Sequence, residues 1–265
     1  MNTFKIVILS MVQGITEVLP ISSSGHLILT GKLLNFEVSG DLFLLSVLHL
    51  GTTLAIIIFY RKVLFKNFFT KEKWIFFLKL AIASLPAALV GFFFEEYISN
   101  TLHGSKIIAI SLIAVGLLFI LFENIVKEGK KIEPEQMDWI RMLLIGIGQS
   151  LALLPGTSRS GITTLTGMML GLDKYSAFNF SFILGIPILL GSSIYEIAKS
   201  YLLTTEPSLL TASLSIGKTI PFIFLTAVIG YASLVVVKRF KKKKWLTVFG
   251  IYRIIVGILI LALAI

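Results

Sequence analysis

Cysteine is absent from this chain of 265 residues, and charge is scarce, with only 14% of the residues Asp, Glu, Lys or Arg. The first absence excludes a disulfide framework and any thiolate nucleophile or metal ligand. The second excludes an ordinary soluble domain, in which about a quarter of the residues are charged. The chain also has no Walker A sequence, no histidine pair at metal-binding spacing and no dinucleotide-binding glycine fingerprint, so these routes to nucleotide or zinc chemistry are closed. The apolar start at residues 6–12 is interrupted by Gln13 and Glu17 and has no small-residue cleavage site after it, so no cleaved signal peptide is expected.

What is present is hydrocarbon. Hydrophobic residues make up 56% of the chain and the mean hydropathy is +0.93. About 20 apolar residues in a helix cross the roughly 30 Å of a bilayer core. Six segments meet that requirement: residues 42–60, 74–94, 107–122, 177–197, 219–237 and 245–265, the third being the shortest. All are expected to be helices, because unpaired backbone in lipid is too costly for anything but a helix or a closed barrel. The net charge of +10 does not point to nucleic acid. Six basic residues lie within 238–244 and five within 61–73, each run beside an apolar segment, which is the pattern of cytoplasmic membrane loops.

Two further apolar segments, residues 4–34 and 139–172, are broken in the middle by Pro20-Ile-Ser-Ser-Ser-Gly-His26 and Pro155-Gly-Thr-Ser-Arg-Ser-Gly161. Proline, glycine and serine end helices and free backbone groups. At membrane depth such breaks are tolerated only where protein or a water-filled cavity surrounds them. Each segment is therefore expected to be a re-entrant helical hairpin. Residues 1–125 hold one hairpin and three spans, and residues 139–265 repeat that order. Three spans is an odd number, so the second half enters the membrane upside down. The fold class expected is an all-α integral membrane protein with six transmembrane helices and two re-entrant hairpins in an inverted repeat, the site lying where the halves meet. Loop charge places residues 61–73 and 238–244 in the cytoplasm, parity places the mixed loop 124–140 there too, and residues 95–106 and 198–218, with few basic residues, fall outside, as do both termini.

Ionisable groups inside lipid are expensive and are functional candidates by default. Glu17 and Arg159, one at each break, are the outstanding pair. They could be a simple structural salt bridge, but Ser22, Ser23, Ser24, His26, Thr157, Ser158, Ser160 and Thr163 crowd the same tips, and a strut does not need so many hydroxyls. A guanidinium offers a fork of donors matched to phosphate oxygens. A Gly/Ser-rich turn opening a helix offers backbone N–H groups and the positive end of the helix dipole. Glu17 could ligate a divalent metal shared with phosphates or act as a base; His26 could act as acid, base or nucleophile. Together these fit phosphoryl transfer at membrane depth. His49, within a span, is read as a buried hydrogen-bonding group, and Arg253 as pairing inside the bundle or snorkelling towards a headgroup. Lys79 is read as a snorkelling side chain, and Trp74, Trp139 and Trp245 as interfacial anchors.

The run Gln13-Gly-Ile-Thr-Glu17-Val-Leu-Pro20-Ile-Ser-Ser-Ser-Gly25-His26 and the run Pro155-Gly-Thr-Ser158-Arg159-Ser-Gly-Ile-Thr163 resemble the two signatures of bacterial undecaprenyl-diphosphate phosphatases of the bacitracin-resistance type. Length, span pattern and both motifs agree over the whole chain. The resemblance implies hydrolysis of a C55-type polyprenyl diphosphate to the monophosphate, recycling a lipid carrier for cell-wall synthesis in the bacterial plasma membrane. It implies roles for Glu17, Ser23, His26, Ser158, Arg159 and Thr163; Ser22, Ser160 and Gln13 are further candidates for binding the substrate phosphate. It also implies a divalent cation, Mg²⁺ or Ca²⁺, on Glu17 and a site open to the outer face. The family has Glu or Gln at the position of Gln13, so Glu17 bears the acidic role. Ser23, His26 and a water all stand as candidate nucleophiles. A second membrane phosphatase superfamily shares Ser23-Ser-Gly-His26 and Ser158-Arg159 but needs a histidine where this chain has Leu165. The rival of another class is a transporter or flippase for a lipid-linked phosphate. The sequence allows a homodimer and does not specify one.

Overall fold

The computed structural model describes residues 3–36, 38, 41–102, 104–126, 129–202, 216–239 and 244–262. The basic run at 240–243, Lys127, most of the loop at 198–218 and the last three residues of the sixth expected span lie outside them. The described residues are helical, with one isolated bridge between Lys130 and Leu172 and no strand. In chain order the helices are α1 (Thr3–Thr16), α2 (Ser23–Leu33), α3 (Leu42–Phe59), α4 (Arg61–Phe65), α5 (Lys71–Thr101), α6 (Ser105–Ile125), α7 (Trp139–Gln149), α8 (Arg159–Met169), α9 (Lys174–Leu202), α10 (Ile216–Lys238) and α11 (Trp245–Ala262). A short 3₁₀ turn, Ser150–Leu153, follows α7.

Six of these helices, α3, α5, α6, α9, α10 and α11, are long and apolar enough to cross a membrane. The span expected at residues 107–122 runs to 21 residues as α6, and α5 extends to 31. At about 1.5 Å per residue, α5 exceeds the hydrocarbon thickness. By the same arithmetic α1, α2, α7 and α8, at 14, 11, 11 and 11 residues, fall short of it. These four are the two halves of the two broken segments. Their ends are set locally: Asp138 caps α7 by accepting from the Arg141 N–H at 2.8 Å, and that donor holds its carboxyl below the usual carboxylate range. Asp41 caps α3 in the same way through the Leu44 N–H.

Packing is close where side chains are small. On α6 and α11, a Cβ at Gly116 would lie 2.7 Å from the Gly250 carbonyl oxygen, and one at Gly250 would lie 2.6 Å from that of Gly116. Small residues let membrane helices approach backbone to backbone, where lipid supplies no hydrophobic drive. Helix α1 packs on α10, and α7 on α5; α3 packs on α10, and α9 on α5. Glu123 on α6 joins three helices: it accepts from Lys174 Nζ of α9 at 2.6 Å and from the Thr247 N–H in the first turn of α11 at 2.6 Å. Two aromatic anchors, Trp74 and Trp139, are exposed, but Trp245 is 4% exposed. The anchor reading of Trp245 is therefore corrected: its ring packs on Phe178 and Phe249 inside the bundle. Lys79 donates to the Met137 carbonyl and lies over the Trp139 ring.

Candidate functional site

Both breaks are built on the same backbone device. Ser22 and Ser158 each carry φ +72°, a left-handed conformation unusual for a side-chain-bearing residue. Each is the N-cap of the next helix, its hydroxyl accepting from the N–H three residues on, that of Gly25 and Gly161. Each hydroxyl also meets the serine two residues on, Ser22 with Ser24 at 3.1 Å and Ser158 with Ser160 at 3.4 Å. The matched positions between them are Ser23 and Arg159. Non-glycine residues in this region cost on the order of 1–3 kcal/mol and cluster at functional sites.

The two tips touch. Arg159 Nη2 donates to Glu17 Oε1 at 3.1 Å, and Nη1 donates to the Ser181 carbonyl on α9 at 2.9 Å. The guanidinium lies against Gly185, where an added Cβ would collide with Nη1. The Gly156 N–H donates to Ser24 Oγ at 3.5 Å. Gly156 itself sits at φ +94°, with no room for a Cβ against the Ile108 carbonyl.

Glu17, 7% exposed, is the hub. Its Oε2 accepts from the Ser23 hydroxyl at 2.6 Å and from Gln13 Nε2 at 3.2 Å. His49 Nε2 lies 3.6 Å from the same oxygen, while His49 Nδ1 meets the Leu45 carbonyl. A hydroxyl within hydrogen-bond reach of a carboxylate, beside a guanidinium, is the geometry of a nucleophile and its base. Gln13 Oε1 and Arg159 Nε are buried without a hydrogen-bond partner among the described residues.

These groups open into a cavity of about 800 Å³. Its polar end holds Glu17, Ser22, Ser23, Ser24, His49, Ser158, Arg159 and Ser160, with Gln149 beside them. The rest is apolar wall from α5 and α9, including Leu85, Ala88, Leu89, Phe92, Ile188 and Leu189. Leu85, Leu89 and Phe92 are among the exposed large hydrophobic residues.

Three residues assigned to the site from the sequence, His26, Thr163 and Gln13, do not line that cavity, and neither does Thr157 at the second tip. His26 has both ring nitrogens engaged, Nδ1 with the Ser22 carbonyl and Nε2 with the Tyr252 hydroxyl, each at 2.8 Å. It stacks on Tyr252 and does not line the cavity. Thr163 is fully buried, its hydroxyl donating to the Arg159 carbonyl at 2.8 Å. Conversely, His49, Gln149, Tyr252 and Arg253 matter more than sequence reasoning assigned them. Arg253 is fully buried; Nη1 donates to the Pro20 carbonyl, and Nη2 to those of Gly156 and Thr157. It thus ties the two breaks together through their freed carbonyls rather than pairing with a carboxylate. The available signal was a cation inside an apolar span, and for His49 a titratable ring at the same depth.

Comparison with known proteins gives the same answer over the same length. Residues 6–259 match the model of the family described as bacitracin resistance protein BacA. An undecaprenyl-diphosphatase 1 of Shouchella clausii is 38% identical, over 98% of this chain and 96% of its own. That of Clostridioides difficile is also 38% identical, over 99% and 96%. An undecaprenyl-diphosphatase of Enterococcus faecalis is 36% identical, over 97% and 95%. With the family match running through both breaks and all six long apolar helices, this chain belongs to the bacitracin resistance protein BacA family.

Proposed function

We propose that this chain is a membrane phosphatase that hydrolyses undecaprenyl diphosphate to the monophosphate and phosphate. The observation that carries the reading is the Ser23 hydroxyl, 2.6 Å from Glu17 Oε2 and facing a cavity that also holds Arg159. Ser23 Oγ attacks the terminal phosphorus while its proton passes to Glu17. The bond from that phosphorus to the bridging oxygen breaks, the lipid monophosphate leaves, and Glu17 gives the proton to that departing phosphate and is a carboxylate again. Water then attacks the phosphoserine, giving its proton to Glu17; the phosphorus–Oγ bond breaks, Ser23 is re-protonated and phosphate departs. Arg159 and the N–H groups at the starts of α2 and α8 are fixed donors for the charge that builds on the phosphoryl oxygens. His26, held between a carbonyl and Tyr252, is a positioning residue for the α2 tip. The prenyl tail lies along Leu85, Leu89 and Phe92, where the cavity meets lipid. The relatives named above are diphosphatases, and an anion site for transport alone would not need a hydroxyl hydrogen-bonded to a carboxylate.

The residues present would suit a divalent cation held together with the substrate. Among the described residues no three His, Cys, Asp or Glu side chains are placed to hold a metal. Mg²⁺, however, is commonly held by one or two carboxylates plus substrate phosphates. Glu17 and the unpartnered Gln13 Oε1 would hold it, and when bound it neutralises phosphoryl charge. Phosphate release from farnesyl diphosphate by the purified protein, with and without excess chelator, tests both parts. Release that chelator abolishes is expected. Full release in chelator removes the cation, and no release under either condition sinks the hydrolase.

The inverted repeat, with residues 1–125 and 139–265 as its halves and α1–α2 and α7–α8 as re-entrant hairpins, is part of the same proposal. The matched serines support it, as does the paired packing of α1 on α10 with α7 on α5. Basic residues at 61–73 put that loop in the cytoplasm. The cavity then opens outward, since its lining reaches Phe92 and Glu196 near the far ends of α5 and α9. Cysteines placed singly at exposed Lys66 and Thr101, treated with an impermeant thiol reagent on intact cells, should label at position 101 alone. Label at position 66 alone would invert the orientation.

A further inference from the structure

Gln13 and Gln149 occupy the same place in the two halves, nine residues before Ser22 and Ser158 respectively. Their surroundings differ. Four residues after Gln13 comes Glu17, and Gln13 Nε2 donates to it at 3.2 Å. Four residues after Gln149 comes Leu153, which offers that amide nothing. Gln149 is 2% exposed, and neither its Oε1 nor its Nε2 has a hydrogen-bond partner among the described residues. It lines the cavity beside Ser158, Arg159 and Ser160. A buried primary amide with all its capacity unused is costly, and native structures satisfy such groups. The helix start at Arg159 and the unpartnered amide are independent features of one end of one cavity.

We propose that Gln149 is a substrate-binding residue that reads the diphosphate group. Its Nε2 donates to a non-bridging phosphate oxygen, and its Oε1 accepts from a protonated phosphate oxygen or a water on the same group. This rests on the hydrolase reading above and adds a residue to it. Through Gln149 the second half holds substrate with a neutral donor, while Gln13 in the first half orients the base. A neutral amide there takes diphosphate without adding a second carboxylate to a site that must bind an anion.

The test compares wild type with Gln149→Met, which keeps length and volume and removes every hydrogen bond. Three quantities are read: KM and kcat for farnesyl diphosphate, inhibition by inorganic pyrophosphate, and thermal unfolding in detergent. The expected result is a KM raised at least about tenfold and pyrophosphate inhibition weakened by a similar factor, the loss of one hydrogen bond to a charged group. The unfolding temperature should be equal or higher, because an unsatisfied buried amide has been removed. Gln149→Glu should weaken pyrophosphate inhibition further, by charge repulsion. Wild-type KM and inhibition in Gln149→Met would overturn the proposal. So would a Gln149→Met protein that fails to fold or unfolds earlier, since a side chain kept for a ligand is not needed by the fold. A loss confined to kcat would overturn it as well. Absence of any turnover by wild type would instead count against the hydrolase reading, and pyrophosphate binding by the wild-type and variant proteins would still decide the role of Gln149.

Discussion

Replacing Ser23 with alanine is expected to cut phosphate release at least about 1,000-fold, on the order of 4 kcal/mol of barrier, and to leave the protein folded. The hydroxyl makes its hydrogen bond to Glu17 Oε2. Without it that oxygen still accepts from Gln13 and still faces His49. Stability therefore changes little, while the attacking atom is gone. If a water were the nucleophile and Ser23 only oriented it, the loss would be nearer tenfold, the worth of one hydrogen bond. Rapid-quench capture of a phosphorylated protein separates the two: a serine nucleophile gives a phosphoserine at position 23 that Ser23→Ala cannot form. A folded Ser23→Ala protein within tenfold of wild type would remove Ser23 from the covalent role.

Arg159→Lys should fold and insert normally yet lose at least roughly 100-fold in rate, on the order of 3 kcal/mol. The charge is kept, so the ion pair with Glu17 can re-form. What is lost is the planar fork. The guanidinium uses Nη1 on the Ser181 carbonyl and Nη2 on Glu17, and still presents an unpartnered Nε. An ammonium has one nitrogen to share among the carbonyl, the carboxylate and a phosphate. Its position is also specified from outside, since the fork lies where Gly185 has no Cβ. If Arg159 were only a strut to Glu17, lysine would retain most activity and alanine would be lost through poor folding. Near-normal turnover in a folded Arg159→Ala protein would end the phosphate assignment.

Residue type and position made the tips legible in advance. Proline, glycine and serine in otherwise apolar segments mark where backbone must leave the helix, and Glu17 and Arg159 stand out because charge at that depth needs a partner. Their contact, across 142 residues of chain, follows from each needing the other. His26 shows where this reasoning stops. It lies three residues after Ser23 in the same motif, and adjacency suggested a shared site. The turn of α2 instead carries its ring to Tyr252. His49, on another helix with no motif around it, faces Glu17.

The sequence by itself determined the class of protein, the six apolar helices and the two polar breaks. All three depend on what each segment can do alone in hydrocarbon: how far it reaches, whether its backbone bonds are satisfied, and whether its charges are tolerable. Only the tertiary structure decided which polar groups share the cavity. That depends on the rotation of each helix about its axis and on where backbones approach at residues such as Gly116, Gly250 and Gly185. In a bundle where nearly every face is apolar, hydropathy does not distinguish the face that meets lipid from the face that meets a partner. Trp245 reads as an anchor because it stands at a span start, and it is buried. From the sequence Arg253 reads as a bundle-pairing or snorkelling residue without a named partner. Its partners are backbone carbonyls freed by the two breaks, groups that every residue carries and that only the folded chain can bring to one guanidinium.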